Sequence, residues 1–241
     1  MRDRKTYFPA FPLTSGISVS SVIETIKLGG VNCYLIKDGE NCFMVDTGFS
    51  SKRAELDKRL ESLGCTSGNF KLIILTHGDL DHAGNGAYLR EKYRPLIAMH
   101  RDDTAMVEHM DINANRKAKP DRVTLSFRVI RHIAPLLFPS GQFDRFKPDI
   151  YLEDGQDLSS FGLSAKVVGT PGHSKGSICI LTAEGDLFCG DLLRNVIGGP
   201  SFPMIDDMAA ARASIAKLRK LDIKKVYPGH GKPFTMDAVH I

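Results

Sequence analysis

The chain has no apolar run approaching the roughly 18 to 20 residues that a membrane-spanning helix needs, which excludes a helical membrane protein. Its N-terminus, Met1-Arg-Asp-Arg-Lys5, is charged, but Tyr7-Phe-Pro-Ala-Phe-Pro-Leu13 is broken by Pro9 and Pro12 and offers neither an apolar secretion segment nor a cleavage site. A cytoplasmic protein is therefore expected. Cysteine is scarce and unpatterned: Cys33, Cys42, Cys65, Cys179 and Cys189 form an odd set without a CxxC pair, most of them in apolar runs. Buried, reduced thiols are the expectation. The net charge of +4 is too small to imply a nucleic-acid partner, and no cluster of stacking aromatics compensates for it. No internal repeat is found by residue matches.

What is present is ordinary in bulk and specific in detail. With 241 residues, 42% apolar and 25% charged, the chain has enough material for one soluble domain spanning 1–241. Val22 to Ile26, Asn32 to Ile36 and Cys42 to Val45 read as a β-meander ending in Asp46-Thr47-Gly48, a carboxylate at a strand end before a glycine turn. Ser50 or Ser51 is placed to cap a helix through Leu56, Leu60 and Leu63, with Gly64 as its stop. A strand at Leu72 to Leu75, a helix near Gly86 to Lys92 and a strand at Leu96 to Met99 continue an α/β alternation. Further strands are expected at Ile150 to Leu152, Leu163 to Val168, Ile178 to Leu181, Leu187 to Cys189 and Lys225 to Tyr227. Asp206 or Asp207 is placed to cap a helix carrying Met208, Ala211, Ile215, Leu218 and Leu221 on one face.

Between these two parts, residues 101–147 read as a helical insertion with a basic elbow at Arg116-Lys-Ala-Lys-Pro120. Six basic residues, Arg116, Lys117, Lys119, Arg122, Arg128 and Arg131, stand against one acid, Asp121, in 116–131. The plainer expectation is an amphipathic segment whose bases face water. The functional one is a lid over a substrate pocket or a homodimer contact, with a membrane-surface helix a weaker third.

The densest chemistry is Thr76-His77-Gly78-Asp79-Leu80-Asp81-His82, where an apolar strand runs into four potential metal ligands within six residues. In extended backbone His77 and Asp79 point to the same side, while Asp81 and His82 diverge unless the chain turns. One segment can thus address two neighbouring cations, His77 and Asp79 one of them, Asp81 and His82 the other. The missing ligands stand at three later strand ends beside glycine, at Pro171-Gly-His173, Gly190-Asp191 and Pro228-Gly-His230. Seven N and O ligands, His77, Asp79, Asp81, His82, His173, Asp191 and His230, suit zinc, iron or manganese better than a thiolate site would. A water shared by two such cations has its pKa lowered from about 15.7 towards neutrality.

These motifs, in chain order from Asp46-Thr-Gly48 to Pro228-Gly-His230-Gly, resemble those of the metallo-β-lactamase-fold superfamily, nearest its glyoxalase II and lactonase-like hydrolases. The resemblance implies a four-layer αβ/βα sandwich with the helical insertion within it. It also implies two divalent metal ions, zinc first with iron or manganese as alternatives. His77 and His173 with Asp191 would serve the first; Asp81, His82 and His230 would serve the second, with Asp191 bridging. Asp46 would support the site without ligating.

The sequence departs from the family pattern HxHxDH in having aspartate at residue 79. A carboxylate there hardens the first site and shifts it towards iron or manganese. The implied function is hydrolysis of an ester, thioester, lactone or amide in a small-molecule substrate by a metal-held hydroxide. Asp81 would orient the nucleophile or carry a proton. The alternative is a non-haem iron oxidoreductase resembling the persulfide dioxygenases, built on His77, His173 and Asp191.

Overall fold

The computed structural model describes residues 21–111, 113–123 and 144–241. Two sheets face one another. The first runs in the order β1 (Val22–Leu28), β2 (Val31–Asp38), β3 (Asn41–Val45), β4 (Phe70–Ile74), β5 (Leu96–His100), β6 (Ile150–Leu152). It begins as an antiparallel meander and becomes parallel from β3 onward. The switch occurs where α1 (Arg53–Ser62) and α3 (Gly86–Tyr93) supply crossovers. The second sheet is β10 (Lys225–Pro228), β9 (Asp186–Gly190), β8 (Ile178–Thr182), β7 (Ala165–Gly169), antiparallel except for the β10–β9 pair, which is joined through α5 (Met208–Leu218).

Strand alternation explains the layering. On β2 and β3, Tyr34, Ile36, Phe43 and Val45 point between the sheets, while Cys33, Leu35, Cys42 and Met44 point to the helix side with Leu56, Leu60 and Leu89. Likewise Ile178, Ile180 and Phe188 meet the first sheet, whereas Cys179, Leu181, Leu187 and Cys189 pack under Ala211, Ile215 and Leu218 of α5. Central strands covered on both faces must be apolar at successive positions, as β3 and β8 are. The result is the expected αβ/βα sandwich. All five cysteines are buried free thiols. Among the described residues no helix is long and apolar enough to cross a membrane.

Two local expectations need correction. Ser50 and Ser51 do not cap α1: they lie in a 3-10 turn, Ser50–Lys52, and α1 starts at Arg53 without a side-chain cap. Among the described residues of the insertion, α4 (Thr104–His109) is helical, whereas 113–123 form turns in place of the expected helix. Local side chains account for this. Met110 and Asn115 adopt left-handed φ values of 57° and 61°, and Asn113 N donates to Asp111 Oδ1 at 3.0 Å, which offers the backbone an alternative to helix. The remainder of the expected lid, 124–143, lies outside the described residues. At the second helix the expectation of an aspartate cap is met by Asp207, whose Oδ1 accepts from Ala210 N at 2.9 Å.

Candidate metal centre

The carboxyl ends of β3, β4, β7, β9 and β10 converge on one edge of the sandwich, and each delivers one part of the site: Asp46, the 77–82 loop, His173, Asp191 and His230. Strands buried on both faces are stiff, so the residues just past their ends are held in fixed places. Glycine makes the crowding possible. A Cβ on Gly229 would lie 2.6 Å from His82 Cε1 and 2.7 Å from Asp191 Oδ1, and one on Gly190, at φ 48°, would collide with Thr76 Oγ1.

All seven side chains singled out in the sequence come together here, in three overlapping groups: His77, Asp79 and His173; Asp81, His82 and His230; and His77, His82 and Asp191 between them. Asp79 ends the extended segment after His77, and Leu80–Ala83 then turns helically, so that Asp81 and His82 swing towards the other group. In the first group Asp79 Oδ2 lies 3.0 Å from His173 Nε2 and 3.4 Å from His77 Nε2. In the second, His230 Nε2 is 3.3 Å from both Asp81 Oδ2 and Asp191 Oδ1, and His82 Nε2 is 3.3 Å from Asp191 Oδ1. The His77 and His82 ring centroids are 4.1 Å apart.

Each histidine is anchored through its other nitrogen. His173 Nδ1 donates to Met204 O at 2.8 Å and His230 Nδ1 to Gly30 O at 2.9 Å. His82 Nδ1 meets Asp46 Oδ2 at 2.8 Å, and His77 Nδ1 meets Thr76 Oγ1 at 2.9 Å, a hydroxyl that itself donates to Asp46 at 2.8 Å. Carbonyl oxygens only accept, so Nδ1 carries a proton in both His173 and His230, and Nε2 is the nitrogen left to face the centre. His77 Nε2, His82 Nε2 and Asp191 Oδ1 are buried without a hydrogen bond, although carboxylates or imidazoles stand close by. Buried polar atoms are rarely left so. The donor set and its orphaned atoms fit divalent cations.

Asp46 sits at a left-handed φ of 59°, and its carboxylate also accepts Thr76 N at 2.8 Å. Thr47 Oγ1 donates to His82 O and accepts Asn85 N, and Asn85 Nδ2 spans the carbonyls of Thr47 and Phe49. Buried Asp103 ties the two first-group loops together, accepting Ser174 Oγ at 2.5 Å, Gly176 N at 2.8 Å and Gly78 N at 3.3 Å. On the far side Tyr34 Oη donates to Pro228 O at 2.7 Å, fixing the turn that carries His230. Of these, only Asp46 stands out in the sequence; the others are single polar residues without a pattern.

Charges oppose one another throughout the site. Burial pushes the Asp79 carboxyl up, but the Arg116 guanidinium, with His173 and His77, outweighs this and holds it well below the usual carboxylate range. Burial likewise raises Asp191, yet His230 and His82 keep it well below that range. Burial depresses His82 and His230, but the facing carboxylates, Asp81 and Asp46 for His82 and Asp191 and Asp81 for His230, raise both well above the usual imidazole range.

Arg116 is the residue the sequence reading misplaced. Its side chain is only 6% exposed, not in water, and Nη2 lies 2.6 Å from Asp79 Oδ1 while Nη1 donates to His173 O at 3.0 Å. The turns around it are stitched to the 205–208 segment: Lys117 N donates to Asp206 Oδ2, Arg122 N to Ile205 O and Met208 N to Asp121 Oδ2. Charge arithmetic was the available signal. A fourth carboxylate, Asp79, joins Asp46, Asp81 and Asp191 in one buried place and calls for a cation.

A family model described as "Metallo-beta-lactamase superfamily" matches residues 26–230. The hydroxyacylglutathione hydrolase GloC of Haemophilus influenzae is 29% identical over 85% of this chain and 87% of its own length. An atrochrysone carboxyl ACP thioesterase of Aspergillus fumigatus is 27% identical over 86% of this chain, which spans only 52% of that relative. Among solved structures, a protein in a di-iron-bound form is 27% identical at a TM-score of 0.62, covering 90% of this chain and 96% of its own.

Proposed function

We infer, for a chain that belongs to the metallo-β-lactamase superfamily, that it is a metal-dependent hydrolase acting on a thioester, ester, lactone or amide of a small molecule. The observation that carries this reading is the convergence of anchored histidines on orphaned inward-facing atoms, His77 Nε2, His82 Nε2 and Asp191 Oδ1. His77, Asp79 and His173 would hold one ion and Asp81, His82 and His230 another, with Asp191 between them. Bound there, divalent ions supply a water of lowered pKa and positive charge for the oxyanion of an attacked carbonyl.

The chain's own residues do the remainder. Asp46, Thr76, Met204 O and Gly30 O fix the imidazole planes, so the donor atoms need no reorganisation during turnover. Burial raises the Asp81 carboxyl, but His82 and His230 lower it on balance, so Asp81 is an ionised acceptor inside the site. It would orient the attacking water and pass its proton to the leaving group. Because one relative is a thioesterase, thioesters are the first class to try in the substrate panel.

The test is hydrolysis of thioesters, lactones and β-lactams by protein loaded separately with zinc, iron or manganese. Metal-dependent turnover of at least one class is expected; none with any metal would overturn the reading.

A second reading, iron-dependent oxidation, is expected from the sequence on His77, His173 and Asp191; the feature that favours it is a set of two imidazoles and one carboxylate in which Asp79 takes the place of Asp191, namely His77, His173 and Asp79. It needs only that group. Full activity in His230→Ala would support it, and abolished activity would support the hydrolase.

A further inference from the structure

The two halves of the site differ in one respect that the ligand pattern does not contain: a full positive charge is built into one of them. Arg116 Nη2 is 2.6 Å from Asp79 Oδ1 and 3.5 Å from His173 Nε2, the atom that faces the first group. The guanidinium is buried and cannot shed its proton. Its position is also fixed, because Nη1 is bonded to His173 O and the neighbouring backbone is bonded to Asp206 and Ile205. Asp79 is thereby divided: Oδ1 belongs to Arg116, and Oδ2 points between His77 and His173. Among the described residues nothing comparable stands at the second group, whose ion-pair partners are carboxylates and imidazoles.

We propose that Arg116 acts as a resident cation that neutralises Asp79 and lowers the affinity of the first group for metal, so that the two sites load unequally, with the Asp81, His82 and His230 group filling first. This rests on the reading of the cluster as a metal centre. The physics is the sum of two opposing contributions. Exchanging an imidazole for the Asp79 carboxylate adds one negative charge and favours a cation. Arg116 cancels that charge and repels a cation a few ångströms away in a water-poor setting, where such interactions are strong. The carboxylate at residue 79 then does not simply convert the first site into a more anionic one. Its added charge is already answered by the chain itself, and the geometry is kept by the second carboxylate oxygen.

Arg116 is in this account a positioning residue, and the experiment separates its charge from its shape. Full-length protein stripped of metal is titrated with zinc against a competing chelator, in the wild type, Arg116→Met and Arg116→Lys. His230→Ala and His173→Ala assign the two binding events to their groups, and melting curves confirm that each variant is folded. The wild type should show two events of unequal affinity, the weaker lost in His173→Ala. Arg116→Met should strengthen the weaker event by about tenfold or more, while Arg116→Lys, which keeps the charge, should leave it within about threefold. Two equal events in the wild type, or a weaker first group in Arg116→Met, would overturn the proposal while leaving the metal centre intact. Absence of zinc binding altogether would overturn both this proposal and the hydrolase reading.

Discussion

The two halves of the centre are built from the same residue types and supported in opposite ways. The Asp81, His82 and His230 half is backed by a carboxylate, because His82 leans on Asp46, which also fixes the strand end through Thr76. The His77, Asp79 and His173 half is backed by a guanidinium, with Asp103 binding its loops to one another. Carboxylate support makes an imidazole a better donor, whereas guanidinium support makes a carboxylate a poorer one. Ligand identity alone therefore does not rank two sites; the groups behind the ligands do.

The largest expected effect comes from destroying one half outright. His230→Ala should lower kcat/KM by more than about a hundredfold, because it removes a donor from the carboxylate-backed half; steady-state hydrolysis of the best substrate measures this. Next is the support itself. Asp46→Asn tolerates the left-handed backbone but cannot accept equally from Thr76 and His82. It should weaken metal binding by about 10- to 100-fold at the second group, whose His82 touches Asp46 directly, and by less at the first, whose His77 reaches Asp46 through the Thr76 hydroxyl; a chelator competition reads both.

Proton linkage sharpens the contrast. Burial lowers His82 and His230, but the carboxylates around them win and raise both pKa values. Without metal both histidines therefore keep their protons at neutral pH, and a metal ion must displace them. Binding should release protons at pH 7 and tighten as pH rises until the free histidines lose them. Calorimetric titration in buffers of different ionisation enthalpy reads this directly, and no net release would contradict it. The smallest effect is a control. Asn69→Ala removes the hydrogen bonds to Thr66 N and Gly64 O in the turn after α1, which carries no member of either group, and should cost about 1 kcal/mol in a denaturant melt without changing either metal affinity.

Much of the fold was readable because strands buried on both faces leave uninterrupted apolar runs and because glycine marks their ends. The same logic brought the candidate ligands into view: His173, Asp191 and His230 each follow a strand end, and backbone geometry then leaves little freedom in where they point. Asp103, Thr76, Asn85 and Arg116 were not readable in this way. Their roles depend on contacts between segments remote in sequence, such as the 37 residues that separate Asp79 from Arg116. Arg116 was further hidden by its neighbours, since Lys117, Lys119 and Arg122 do lie on the surface and give the elbow the look of a solvated basic run. The end of α4 escaped for a different reason, as its left-handed cap is Met110, a residue type that does not mark a helix stop.

The most direct measurement of the central claim is anomalous scattering at the metal absorption edge from a crystal of the full chain soaked in excess zinc. The account predicts two peaks, the stronger among Asp81, His82, His230 and Asp191 and the weaker among His77, Asp79, His173 and Asp191. A map with no peak between these side chains, or with peaks only elsewhere on the protein, would contradict it.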